Sequence, residues 1–249
     1  MYSILNLPRI LSRTLVAAFA PALAPALAES LNLAASSAFA LKSGPELGWG
    51  LSNIAVFAAA LLFFLLLFKE KENVKKVREW QICFGGFALL AVNGIVFHTF
   101  EVGHTWSIIL WIPQYVVFFI VAFCFFNVVI SLLTKRAHLT KKEKTAGIIV
   151  TIVMFGLAEV LHVTLPDFND AFTVFLIYGG LLILPMLYLT FFGPYRSRWM
   201  KILVASLVVV VGFQALSGLV PDLTTAAHLT SAFSLYCGYR VALEDIRLA

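Results

Sequence analysis

Apolar residues run along this chain in seven long blocks, approximately residues 48–68, 80–100, 106–133, 145–165, 171–192, 202–219 and 224–239. A helix needs about 20 apolar residues to cross a hydrocarbon core about 30 Å thick, and most blocks are near that length. The pattern predicts an all-α membrane protein, a seven-transmembrane-helix bundle. Polar residues collect where the blocks end. His98, Glu101 and His104 close the second block and open the third, Glu159 and His162 close the fourth, and His228 opens the seventh.

The connections between blocks sort by charge. Lys69, Lys71, Lys75, Lys76 and Arg78 follow the first block, and Lys135, Arg136, Lys141, Lys142 and Lys144 follow the third. Arg196, Arg198 and Lys201 follow the fifth, and Arg240 and Arg247 follow the seventh. The alternate connections carry Glu101, Asp167, Asp170 and Asp222, and neither Lys nor Arg. Basic connections stay cytoplasmic, so the N-terminus is expected outside and the C-terminus in the cytoplasm. Arg9 and Arg13, an apolar run over 15–27 and Ala26-Leu27-Ala28 form the pattern of a secretory signal peptide, with an uncleaved N-terminal helix as the alternative. The expected organisation is a signal peptide over 1–28, an extracytoplasmic linker over 29–47, the transmembrane domain over 48–240 and a cytoplasmic tail over 241–249. Its expected place is a bacterial inner membrane, crossed several times.

Composition agrees. The chain is 61% hydrophobic and 12% charged, whereas soluble domains are about 25% charged. The formal charge of +5 is accounted for by the cytoplasmic connections, so no nucleic-acid partner is expected; membrane lipid is. Protein partners are not specified by any motif. Cys83, Cys124 and Cys237 fall in different blocks without CxxC spacing and read as packing residues. Trp80, Trp106 and Trp199 stand at block ends, where interfacial aromatic belts occur. Gly179, Gly180, Gly212 and Gly218 are expected to admit neighbouring helices. Asp167, Asp170 and Asp222 fit helix caps, and Pro113 and Pro185 fit kinks. There is no phosphate-binding Gly-rich loop, Gly-x-Ser-x-Gly, HExxH or CxxCH.

The densest candidate chemistry is the stretch 155–167. Glu159 and His162, three residues apart, share a helical face. An ionisable group at the middle of a membrane costs roughly 2.5–3.5 kcal/mol on insertion scales, so partners are expected. Glu101-Val-Gly-His104 repeats the Glu-x-x-His pattern, and His98 joins the same face if helix persists through the turn. Gln214, Ser217, Pro221 and Asp222 align with Glu159, His162, Pro166 and Asp167 at a constant offset of 55, a weak internal repeat. Two Glu-x-x-His motifs belong to carboxylate-bridged di-iron sites, but those need two further glutamates. Here the other blocks supply Gln214, Ser217 and His228 instead. The economical version is a mononuclear zinc or iron site built from three of His98, His104, His162 and His228, with Glu159 or Glu101 as general base. Haem or another cofactor is a further option, and Glu159–His162 as a purely structural pair is the bland one.

Seven spans with the N-terminus outside invite comparison with microbial rhodopsins, but the seventh block contains no retinal-binding lysine. The layout resembles the superfamily of seven-span metal hydrolases that includes alkaline ceramidases and adiponectin-receptor-like proteins. There, histidines of the second and seventh spans hold zinc, and His98 and His228 occupy comparable places. The family's seventh-span His-x-x-x-His is here His228-Leu-Thr-Ser-Ala232, and its serine one turn before the second-span histidine is Gly94. The resemblance implies metal-assisted hydrolysis of a lipid or other amphiphile. The alternative expectation is a non-enzymatic sensor, transporter or accessory subunit, in which the same cluster is a structural or proton-linked polar network.

Overall fold

The computed structural model describes residues 40–102, 104–134, 139–164, 197–217 and 219–248, with 183, 186–188 and 190–192. The expected signal peptide, Asp167, Asp170, Gly179, Gly180, Pro185 and Gly218 lie outside the described residues. So do the side chains of Trp106, His104, Glu159 and His162, whose backbones are helical.

The described chain is mostly helical. A short strand β1 (Ala40–Leu41) precedes α1 (Pro45–Leu66), which ends in a 3-10 turn, Leu67–Lys69. Then come α2 (Val74–Thr99), strand β2 (Phe100–Glu101), α3 (His104–Thr134), α4 (Lys141–Thr164), α5 (Arg198–Leu216) and α6 (Asp222–Leu248). The starts are coded locally. Pro45 opens α1, where its missing N–H costs nothing. The Asn73 side chain accepts from the Lys76 amide ahead of α2. Thr140 and Glu143 exchange reciprocal bonds of 2.6 and 3.3 Å, a capping box opening α4. Ser197 accepts from the Trp199 and Met200 amides at the start of α5.

Three helices among the described residues are long and apolar enough to cross a membrane: Pro45–Lys69, Val74–Thr99 and Arg198–Leu216. Within α3, Val116–Leu132 is a shorter apolar stretch. Large apolar side chains on the outside, including Leu51, Ile54 and Leu62 on α1 and Ile149, Ile152 and Val153 on α4, are exposed. A lipid-facing surface is where such side chains belong. The chain is a helical membrane protein.

Helix α1 packs on α2 and α6, α6 on α5, α2 on α3, and α3 on α4. Phe63 of α1 stacks on Tyr239 of α6 at 4.9 Å and meets Phe84 of α2 edge-on at 5.9 Å. Lipid tails are as apolar as leucine, so such helices associate through close packing. Gly86 lies against Val121 of α3 and Gly50 against Thr99 of α2, each so close that an added methyl would overlap its neighbour. These positions admit neighbouring helices; among the described residues, nothing stands within 4 Å of a methyl at Gly212. Cys83, Cys124 and Cys237 are buried and free, in keeping with packing.

Two further differences bear on function. Helix α6 runs past 239, and Val241, Ala242, Asp245 and Ile246 are buried, so the stretch expected as a tail is packed helix. At the other end, α2 stops at Thr99. Phe100 is extended, with φ −122° and ψ 147°, because Phe100 and Glu101 pair antiparallel with Leu41 and Ala40. The Lys42 amide extends the pairing by donating to the Thr99 carbonyl at 2.9 Å. His98, Glu101 and His104 therefore do not share one helical face.

Candidate functional site

The start of α1, the end of α2 and the first turns of α6 meet at one end of the bundle. Trp49, Ser52 and Asn53 recur at helical spacing on one face of α1. The Trp49 carbonyl accepts from Ser52 Oγ at 2.8 Å and from Asn53 Nδ2 at 3.1 Å. Its indole N–H donates to the Pro221 carbonyl at 3.0 Å, tying α1 to the turn before α6. Ser52 Oγ is also 2.8 Å from His228 Nδ1, and Asn53 Nδ2 is 3.4 Å from the same nitrogen. The ring of His98, in the last turn of α2, stands edge-on to Trp49 at 5.6 Å and 5.8 Å from the ring of His228. Gly94, one turn earlier on α2, leaves room for Asn53: an added methyl would lie 2.9 Å from Asn53 Oδ1. Two imidazoles from positions far apart in the chain thus converge on a polar face of α1.

The other candidates distribute differently. Glu101 sits in β2 with an exposed side chain. His104 opens α3, three residues past the end of β2 and a short step from His98 in the chain. Helix α4 folds back along α3, since Gly147 near its start lies against Asn127 near the end of α3. Glu159 and His162 consequently occupy the last turns of α4, at the same end of the bundle as His98. Among the described residues, no three His, Cys, Asp or Glu side chains gather closely enough to hold a metal ion. No family model, curated protein or solved structure matches this chain.

Close to this end, Asn93 of α2 donates to the Leu110 carbonyl at 3.0 Å and to Gln114 Oε1. Helix α3 continues through Pro113. A proline loosens the backbone bonding one turn before it, and a neighbouring helix can take up a freed carbonyl. The carbonyl that Asn93 bonds, that of Leu110, is next in the chain to the Ile109 carbonyl that Pro113 leaves without a helical donor. Neither Asn93 nor Gln114 stands out in the sequence, where each is a single polar residue within an apolar block.

A second polar cluster lies at the opposite end, and the sequence reading missed it. Lys76 of α2, 1% exposed, pairs with Asp245 of α6, 3% exposed, at 3.2 Å. The Lys76 ammonium also donates to Ser131 of α3. The Trp80 indole N–H donates to the same Asp245 oxygen at 3.0 Å. Trp80 is thus buried rather than a member of an aromatic belt, and its ring is held by Phe84 and Phe125. Trp199 is half-buried and carries Arg240 over its face at 4.7 Å. The missed signal was periodicity. Lys76, Val77, Trp80, Cys83 and Phe84 follow the spacing of one helical face, and so do Val241, Ala242, Asp245 and Ile246. Both charged residues sit within those faces.

Proposed function

We propose that the chain is a seven-span inner-membrane protein, N-terminus outside, with a histidine centre at its extracytoplasmic end that supports metal-assisted hydrolysis of a lipid or other amphiphile. One observation carries this reading: His98 of α2 and His228 of α6 converge at 5.8 Å. They are also the two positions on which the resemblance to seven-span hydrolases rests. Two imidazoles make an incomplete ligand set for zinc or iron, so a third is required. His162 or His104, whose backbones reach the same end, would supply it, and Glu159 or Glu101 would take a proton from water. The metal would supply Lewis acidity and a lowered water pKa. The protein would supply orientation of the imidazoles and, through the exposed apolar surface around the bundle, access for an amphiphile.

A second reading is favoured by the hydrogen bonds themselves. The His228–Ser52–Trp49 chain and the Trp49–Pro221 bond join α1 to α6 and to the turn before it. Such a network would couple protonation to helix packing in a sensor, transporter or accessory subunit. Metal content separates the two readings. Stoichiometric zinc or iron in purified protein, lost in His98→Gln and His228→Gln, is the expected result. A metal-free protein whose melting temperature ignores chelator would move the conclusion to the second reading. Orientation is tested separately: a cysteine placed near Asp170 should react with an impermeant thiol reagent in intact cells, and one near Lys141 should not. The reverse labelling would put the histidine centre in the cytoplasm.

A further inference from the structure

Ser52 was not a candidate from sequence, yet it stands between the backbone and His228. Its Oγ is 2.8 Å from the Trp49 carbonyl oxygen and 2.8 Å from His228 Nδ1. A serine hydroxyl has one proton to donate and lone pairs to accept with. A carbonyl oxygen can only accept, so the bond to Trp49 takes that proton. With that bond made, the bond to His228 runs the other way, with the proton on Nδ1 and the lone pair on Ser52, an assignment that the experiment below tests. Asn53 Nδ2 does not reverse this. Its contact with Nδ1 is 3.4 Å, longer than its own 3.1 Å bond to the Trp49 carbonyl, and a donor at that distance interacts weakly.

A neutral imidazole carries one proton. Placing it on Nδ1 leaves the lone pair on Nε2. We infer that Ser52 is a positioning residue: it holds His228 as the Nδ1–H tautomer and thereby makes Nε2 the nitrogen that binds. Ser52 is itself held in place. Ser52 is 6% exposed on a helix packed against α6, and its second bond is to the carbonyl one turn back on its own helix. Metal-binding histidines usually have their other ring nitrogen fixed in this way, which sets the tautomer and raises the basicity of the binding nitrogen. That Nε2 receives a metal ion rests on the function proposed above. The tautomer does not.

The experiment is ¹⁵N NMR of histidine-labelled full-length protein in detergent micelles, at a pH where His228 is neutral. The His228 signals are assigned by their loss in His228→Gln. Wild type should show Nδ1 protonated and Nε2 bare. Ser52→Ala, with the acceptor removed, should lose the preference and show a mixture or the Nε2–H form. Ser52→Thr, which keeps the hydroxyl, should restore the wild-type pattern. A wild type in the Nε2–H form overturns the inference without any variant, and so does Ser52→Ala with an unchanged tautomer. Zinc titration of the same samples then tests the consequence. Ser52→Ala should weaken zinc binding about 10–100-fold, the usual effect of removing such a partner, with Ser52→Thr close to wild type. If the tautomers behave as expected but wild type takes up no zinc, the metal reading fails and the role of Ser52 stands.

Discussion

The two ends of the bundle use polar side chains in opposite ways. At the Lys76–Asp245 end, opposite full charges are sealed from solvent at 1% and 3% exposure and lie 3.2 Å apart. Trp80 and Ser131 supply further bonds to the pair. Each group of the pair meets its opposite inside the protein, and the arrangement joins α2, α3 and α6. At the His98–His228 end, the rings are only partly buried. With Ser52 accepting a hydrogen bond from Nδ1–H, the His228 ring still has the Nε2 lone pair to offer. Depth of burial alone would rank the first end as the more functional. A ring nitrogen with a lone pair to give a ligand ranks them the other way.

The largest expected effect breaks the sealed end. Asp245→Ala leaves the Lys76 ammonium buried without its counter-ion, and losing one partner of a buried pair costs about 3–5 kcal/mol. The double substitution Lys76→Met/Asp245→Leu should recover most of that loss, because the cost lies in the stranded charge. Reversible unfolding in mixed micelles would measure both, and a double variant no better than Asp245→Ala would mean that the pair itself stabilises the fold. Next comes the close approach of α1 and α2 beside the histidines. Gly50→Ala drives a methyl into Thr99, a stiff β-branched side chain with its backbone amide just behind. Overpacking of this kind costs about 1–3 kcal/mol. Gly212→Ala, which meets nothing within 4 Å among the described residues, should be neutral or add up to about 1 kcal/mol through helix propensity. Equal melting temperatures for the two alanine variants would argue against the described α1–α2 packing. The smallest expected stability effect is at the histidine centre. His228→Gln loses one neutral hydrogen bond, worth about 0.5–1.5 kcal/mol, and should melt near wild type in the absence of metal.

How far the sequence discloses each end follows from its local physics. His98 and His228 stand out because a titratable residue at the end of an apolar block is conspicuous. Ser52 and Asn53 do not, since small polar residues are common inside membrane helices and only their spacing with Trp49 marks a polar stripe. Lys76 was hidden by its neighbours: among Lys69, Lys71, Lys75 and Arg78 it looks like one more solvated charge. Asp245 was hidden by composition, because the last turns of α6 mix charged and apolar residues and therefore look like a tail. Glu101 was misplaced for a different reason. Its pairing partner, Ala40, is distant in sequence, and a two-residue ladder leaves no alternation to detect. The local helical signal of α2 thus runs on past the point where the strand pairing stops it.

In the proposed function the histidine end binds a ligand, whereas the ion-pair end holds helices together. Metal content, measured side by side on purified wild type, His228→Gln and Lys76→Met/Asp245→Leu, distinguishes the two ends. Stoichiometric zinc or iron is expected in wild type and in the double variant, and its loss in His228→Gln. Wild type without metal, or metal retained in His228→Gln and lost in the double variant, would contradict that reading.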